Sequence, residues 1–151
     1  MQLRIATAAD AAALAALISR AYRVEDFFKH GDRTDADDVR GRMSRGEFLV
    51  LEDAGRLAGA VYVQMNGERS YFGMLSIDPA RQQQGLGARL VAEAEAHCRA
   101  AGSREMEIEV VDLRTELPPF YRRYGYVETG TRPFTDGSKL PCHFIVMTKP
   151  L

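Results

Sequence analysis

Between Thr7 and Tyr22 the apolar residues Leu14, Leu17, Ile18, Ala21 and Tyr22 recur at intervals of three and four. That spacing is one buried face of an amphipathic helix. Thr7 stands in front of it with Asp10 three positions on, a variant of the capping box that predicts the helix start. "QLRIAT" upstream alternates as a short strand. "RVEDFFKHGDRT" downstream loses the period and predicts a loop carrying Phe27 and Phe28, after which Thr34 predicts the cap of a second helix to about Ser44. The period then changes to two. "EFLVLED", "GRLAGAVYVQM" and "RSYFGMLSID" read as three strands joined by turns at Ala54-Gly55 and Asn66-Gly67, a meander.

Helical spacing returns with Leu86, Leu90, Val91, Ala94, Cys98 and Ala101, a face ended by Gly102. "REMEIEVV" predicts a strand, "TELPPFYRRYG" a short helix with a proline pair in its first turn, and "YVETGTRPF" and "CHFIVMTKPL" two closing strands. The order β-α-α-β-β-β-α-β-α-β-β places the chain in the α/β class in its mixed α+β sense. The expected architecture is a central, mixed, mostly antiparallel twisted sheet of about seven strands with about four helices on its faces. No repeat or linker interrupts the pattern, so residues 1–151 are read as one domain.

Composition narrows the function classes. A net charge of -1 with no basic block offers no footprint for nucleic acid. No apolar run is long enough for a signal peptide or a membrane span, so a cytoplasmic protein with no membrane partner is expected. Cys98 and Cys142 stand apart, without metal or redox spacing, and are expected to be reduced thiols.

"RQQQGLGARL", residues 81–90, is a poor helix start if packing is its only task. A helix N-terminus presents unpaired N–H groups and the positive end of the macrodipole, and glycines let a ligand approach that backbone. Gly85 and Gly87 would serve a phosphate in this way, with amide donors from Gln82, Gln83 and Gln84 and charge from Arg81 and Arg89 at the rim. On spacing alone, a tight turn or close helix–sheet packing explains the glycines equally well. There is no P-loop lysine and no third glycine in register for a dinucleotide fingerprint.

About thirty residues further on comes "PPFYRRYGYVETG". Together the two stretches resemble the GNAT superfamily of acyl-CoA-dependent N-acyltransferases. Gln82-Gln83-Gln84-Gly85-Leu86-Gly87 is similar to its pyrophosphate motif and follows the Ile77-Asp78-Pro79 turn; Phe120-Tyr121-Arg122-Arg123-Tyr124-Gly125-Tyr126 is similar to its later aromatic motif. The resemblance covers essentially the whole chain. It departs where Gln83 and Gln84 replace a glycine and a basic residue, where Arg114 stands at a common Asn, and where Tyr126 replaces Phe.

The resemblance implies acetyl-CoA as acyl donor and a primary amine, expected on a small molecule, as acceptor. It assigns pantetheine and oxyanion contacts to Leu75, Ser76 and Ile77, and pyrophosphate contacts to Gln82 through Ala88. Tyr121 is the implied general acid for the leaving thiolate, since a phenol with a pKa near ~10 stays protonated at neutral pH. Glu109 is the candidate base, against the alternative that Glu105, Glu107 and Glu109 form a solvated acidic ridge on one strand face. His143 is a second candidate, with a structural strand histidine as its alternative. In the first interhelix loop, Glu25 and Asp26 would attract a cationic acceptor or simply be solvated. Phe27 and Phe28 would wall the acceptor pocket or anchor the loop, and Arg33 or Lys29 would hold a carboxylate. A non-catalytic acyl-CoA-binding sensor or interaction module is the reading from a different class, and the presence of Tyr121 counts against it. "CHFIVMTKPL" is expected at a sheet edge, where strand addition would make a homodimer, or else completed within the fold.

Overall fold

The computed structural model describes residues 1–135 and 137–151. Among them alternate β1 (Gln2–Ile5), α1 (Ala11–Ala21), α2 (Ala36–Met43), β2 (Glu47–Asp53), β3 (Arg56–Asn66), β4 (Arg69–Ile77), α3 (Leu86–Ala100), β5 (Glu105–Val111), α4 (Leu117–Arg122), β6 (Val127–Pro133) and β7 (His143–Pro150). This is the predicted order. The seven strands form one sheet, β1-β2-β3-β4-β5-β7-β6, antiparallel at every pairing but β4–β5.

Helices cover both faces, which is why β2 reads as the unbroken apolar run "FLVL". Its side chains still alternate. Phe48 and Val50 join a core with Leu14, Leu17 and Ile18 of α1 and Val39 of α2. Leu49 and Leu51 join the opposite core with Leu90, Val91, Ala94 and Cys98 of α3.

The first helix start keeps the predicted Thr7–Asp10 capping box, ahead of a 3-10 turn, and the second shifts by one residue. Asp10 accepts from the Thr7 backbone N–H at 2.8 Å, and a single 3-10 turn, Ala8–Asp10, leads into α1. Asp35, not Thr34, caps α2, its Oδ1 accepting from the Asp38 N–H at 2.8 Å. Asp outranks Thr as a cap, and the Thr34 hydroxyl is taken instead by the Asp38 carboxylate at 2.5 Å.

A larger correction concerns the C-terminal strand. β7 is not a sheet edge: it pairs with β5 on one side and β6 on the other. The chain leaves β5 through α4 and lays β6 outside, and β7 returns to fill the gap between them. Its N–H and C=O rows are satisfied within the chain, so it cannot support strand addition. The sheet edges are β1 and β6.

Candidate active site

β4 and β5 are paired only at Arg69–Tyr71 against Glu105–Glu107. Beyond these residues the two strands part, and the opening is lined by Gly73, Met74 and Leu75 from β4 and by Ile108 through Val111 from β5. A bulge in β4 helps to part them. Gly73 pairs with Tyr62 and Ser76 with Ala60, so Met74 and Leu75 together oppose Val61 outside the regular ladder. Met74 takes a left-handed φ of 52° there. Alternation breaks accordingly: Tyr71 and Met74 face one core, Phe72 and Leu75 the other.

Two cavities meet at this opening. One, of about 380 Å³, runs from Leu75 and Ile77 past Arg81, Gln82 and Gln83 to Gly85, Leu86, Gly87 and Ala88, with α4 forming its other wall. The second, of about 240 Å³, lies toward the loop between α1 and α2. Tyr22, Leu75, Leu117 and Tyr121 line both.

The first cavity bears on the question posed by the glycines, and the tight turn is real at Gly85. Gly85 sits before α3 at φ 75°, where an L side chain is strained, and Gln83 is also left-handed at 65°. A Cβ on Gly85 would meet nothing within 4 Å, and one on Gly87 nothing nearer than Phe120 Cζ at 3.8 Å. Close packing therefore does not require these glycines. They hold open a backbone-lined hollow at the N-terminus of a fifteen-residue helix, a cradle that fits a pyrophosphate. Arg81 lines the hollow but is paired with Asp53 at 2.6 Å. Gln84, Ser76 and Arg89 are absent from its wall; the buried Ser76 hydroxyl donates to the Met74 carbonyl at 2.9 Å.

Residues 18–149 match the family model described as an acetyltransferase (GNAT) domain. The chain belongs to the GNAT family. It is 30% identical over 123 residues to the mycothiol acetyltransferase of Clavibacter sepedonicus, covering 80% of this chain and 40% of that protein. It is 33% identical over 75 residues to the blasticidin-S acetyltransferase of Streptomyces morookaense, covering 49% of this chain and 54% of that protein. The chain thus spans about half or less of the length of these relatives. Among solved structures, the ribosomal-protein-alanine N-acetyltransferase of Brucella melitensis superposes with a TM-score of 0.78 at 21% identity, covering 100% of both chains. The Salmonella typhimurium protein yncA, solved with acetyl-CoA, superposes at 0.77 and 20% identity, covering 100% of this chain and 94% of that one.

In this GNAT domain Tyr121, 6% exposed, sits at the junction of the cavities. Its ring packs tilted on Phe72 and edge-on to Phe120 and Tyr126, and its hydroxyl has no hydrogen-bond partner among the described residues. Burial pushes its pKa well above the usual phenol range. Burial also raises Tyr22, and raises Tyr71 to about 12 with help from the Glu109 carboxylate.

Glu109 lines the second cavity, where its Oε1 accepts from Arg132 at 2.7 Å. The ridge is not simply solvated: Arg132 also binds Glu107, and Arg69 spans Glu105 and Glu107. Glu25 and Arg33 line the same cavity. The two phenylalanines do not. Phe28 is fully buried against Phe27 and Phe134, and Phe27 is 53% exposed. His143 lines neither cavity and lies 3.4 Å from Asp112. Tyr126 lies away from both cavities; its hydroxyl donates to the buried Glu95 at 2.8 Å, and Lys149 binds the same carboxylate.

Sequence reading missed Tyr22 as a site residue, because its place at the end of the α1 stripe marks it as core. It also missed Tyr71, which stands in the regular ladder before the bulge, and Met74, whose orientation depends on the bulge. A tyrosine closing an otherwise aliphatic stripe is the signal that was available.

Proposed function

We propose that this GNAT domain is an N-acetyltransferase that moves an acetyl group from acetyl-CoA to a primary amine of a small molecule. The position of Tyr121 at the junction of the two cavities carries this reading. The glycine-lined hollow would take the pyrophosphate of the donor, and the 240 Å³ cavity the acceptor. Bound acetyl-CoA supplies the thioester carbonyl and a thiolate leaving group. The backbone at the Met74–Leu75 bulge, outside the regular ladder, would donate to the developing oxyanion, a contribution of roughly 3 kcal/mol for a single preorganised donor. Tyr121 donates its phenolic proton to the departing sulfur.

A free primary amine has a pKa near ~10, so about one molecule in a thousand is neutral at pH 7. Glu109 accepts the amine's proton, directly or through a water, while Arg132 fixes the carboxylate. Attack forms the C–N bond, the C–S bond breaks, and the products are the acetamide and free CoA thiol. A non-catalytic module would have no need of a buried phenol with an unpartnered hydroxyl at this point. The test is to incubate the protein with acetyl-CoA and a panel of small amines, following thiol release and acetamide mass together. Equal yields of thiol and acetamide support the reading. Acetyl-CoA binding without turnover of any amine overturns it in favour of a binding module.

A further inference from the structure

We infer that the acceptor carries a carboxylate as well as its amine, and that Arg33 holds that carboxylate. This rests on reading the cavity beyond Tyr121 as the acceptor site. Three of the charges on its wall are committed to neighbours outside it. Arg42 is paired with Asp38 at 3.1 Å, Glu25 with Arg114 at 2.8 Å, and Glu109 with Arg132 at 2.7 Å. Arg33 differs. Its guanidinium lies over the Tyr22 ring, 5.2 Å from the centroid, and has no carboxylate within salt-bridge distance among the described residues. Arginine cannot discharge by losing its proton, and its planar fork matches a carboxylate with two parallel hydrogen bonds.

The placement also suits a short, doubly charged molecule. Tyr22 lies under Arg33 and lines both cavities, so the cation stands one aromatic ring from the junction where Tyr121 sits. Arg33 and Glu109 both act electrostatically on Tyr71 in the same wall, with opposite signs. The cavity thus offers a carboxylate for the amine and a guanidinium for an acid on one small ligand. Amino acids and short amino acid derivatives have that chemistry.

The experiment compares free amino acids with their carboxamides as acceptors, using the full chain, wild type and Arg33→Met, with acetyl-CoA binding measured in parallel by calorimetry. Wild type is expected to favour the acid over its amide on the order of 10- to 100-fold in kcat/KM, the usual worth of a hydrogen bond to a charged group. Arg33→Met should abolish that preference by raising KM for the acid alone, with acetyl-CoA affinity unchanged, and Arg33→Lys should restore part of it. Amides used as well as acids by wild type would overturn the carboxylate while leaving acetyl transfer standing. Loss in Arg33→Met that is equal for acids and amides would overturn it too. Failure to bind acetyl-CoA at all would bring down the transferase reading, and this inference with it.

Discussion

Nη1 of Arg114 donates to Oε2 of Glu25 at 2.8 Å across 89 residues of sequence. Glu25 lines the 240 Å³ cavity and Arg114 the 380 Å³ cavity, so one ion pair ties together the walls of both. The pair is largely buried, with side-chain exposures of 15% for Arg114 and 8% for Glu25. Burial works against the Arg114 charge, but the Glu25 hydrogen bond and its field outweigh it and leave the guanidinium pKa raised.

Removing either partner strands a charge. Glu25→Ala or Arg114→Ala should each cost roughly 3–5 kcal/mol, on the order of 10 °C in Tm. A double variant, Glu25→Leu with Arg114→Met, should lose much less than the sum of the two. Strictly additive losses in thermal unfolding would show that the pair is not coupled.

The glycines predict a separation of stability from binding. A Cβ on Gly87 fits the structure, so Gly87→Ala should melt within about 2 °C of wild type, the range of a substitution without a named structural cost. It should nonetheless lose most of the stabilisation by acetyl-CoA, which for wild type at a hundredfold over Kd is about 2.7 kcal/mol, or roughly 5–10 °C. Gly85→Ala should also lose roughly 1–2 kcal/mol of intrinsic stability, because φ 75° disfavours a side chain. An unchanged ligand shift in Gly87→Ala would remove this hollow from the donor site.

Stability should fall in acid for a reason visible at α1. The Arg4 guanidinium, hydrogen-bonded at 2.8 and 2.9 Å, holds the Asp10 carboxyl at about 2. A depressed folded pKa contributes fully above the unfolded value near 4 and is lost as the pH falls toward 2. Asp10→Asn should therefore lower Tm at pH 7 by roughly 3–6 °C, equivalent to about 1–2 kcal/mol. The gap from wild type should close between pH 4 and pH 2. A gap that stays constant with pH would assign the loss to packing.

The local patterns were legible in the sequence; the long-range pairings were not. Period-two alternation in "EFLVLED" and the stripe from Leu14 to Ile18 follow from burial and survive into both cores. The glycines of "QQQGLG" were visible but ambiguous, because spacing alone does not reveal that Gly87 faces an open hollow. The place of β7 between β5 and β6 depends on which gap the chain leaves, and chain order does not encode that. Nothing in "FGMLSI" signals that Met74 bulges and turns Leu75 into the junction. Glu25 and Arg114 each stand out in the sequence, but nothing there signals that they pair across the fold. Whether Phe28 walls a pocket or anchors the loop stays open in the sequence because its partner Phe134, which makes it an anchor, lies over a hundred residues away in the chain.

The central claim is that Tyr121 protonates the leaving sulfur, and Tyr121→Phe tests it most directly. Kinetics at saturating acetyl-CoA should show kcat down by roughly 10²–10⁴, with acetyl-CoA affinity and Tm near wild type. Because burial holds the Tyr121 pKa above the phenol range, the wild-type profile should show no alkaline fall from this group below about pH 10. Turnover in Tyr121→Phe within twofold of wild type, at equal acetyl-CoA occupancy, would contradict the account.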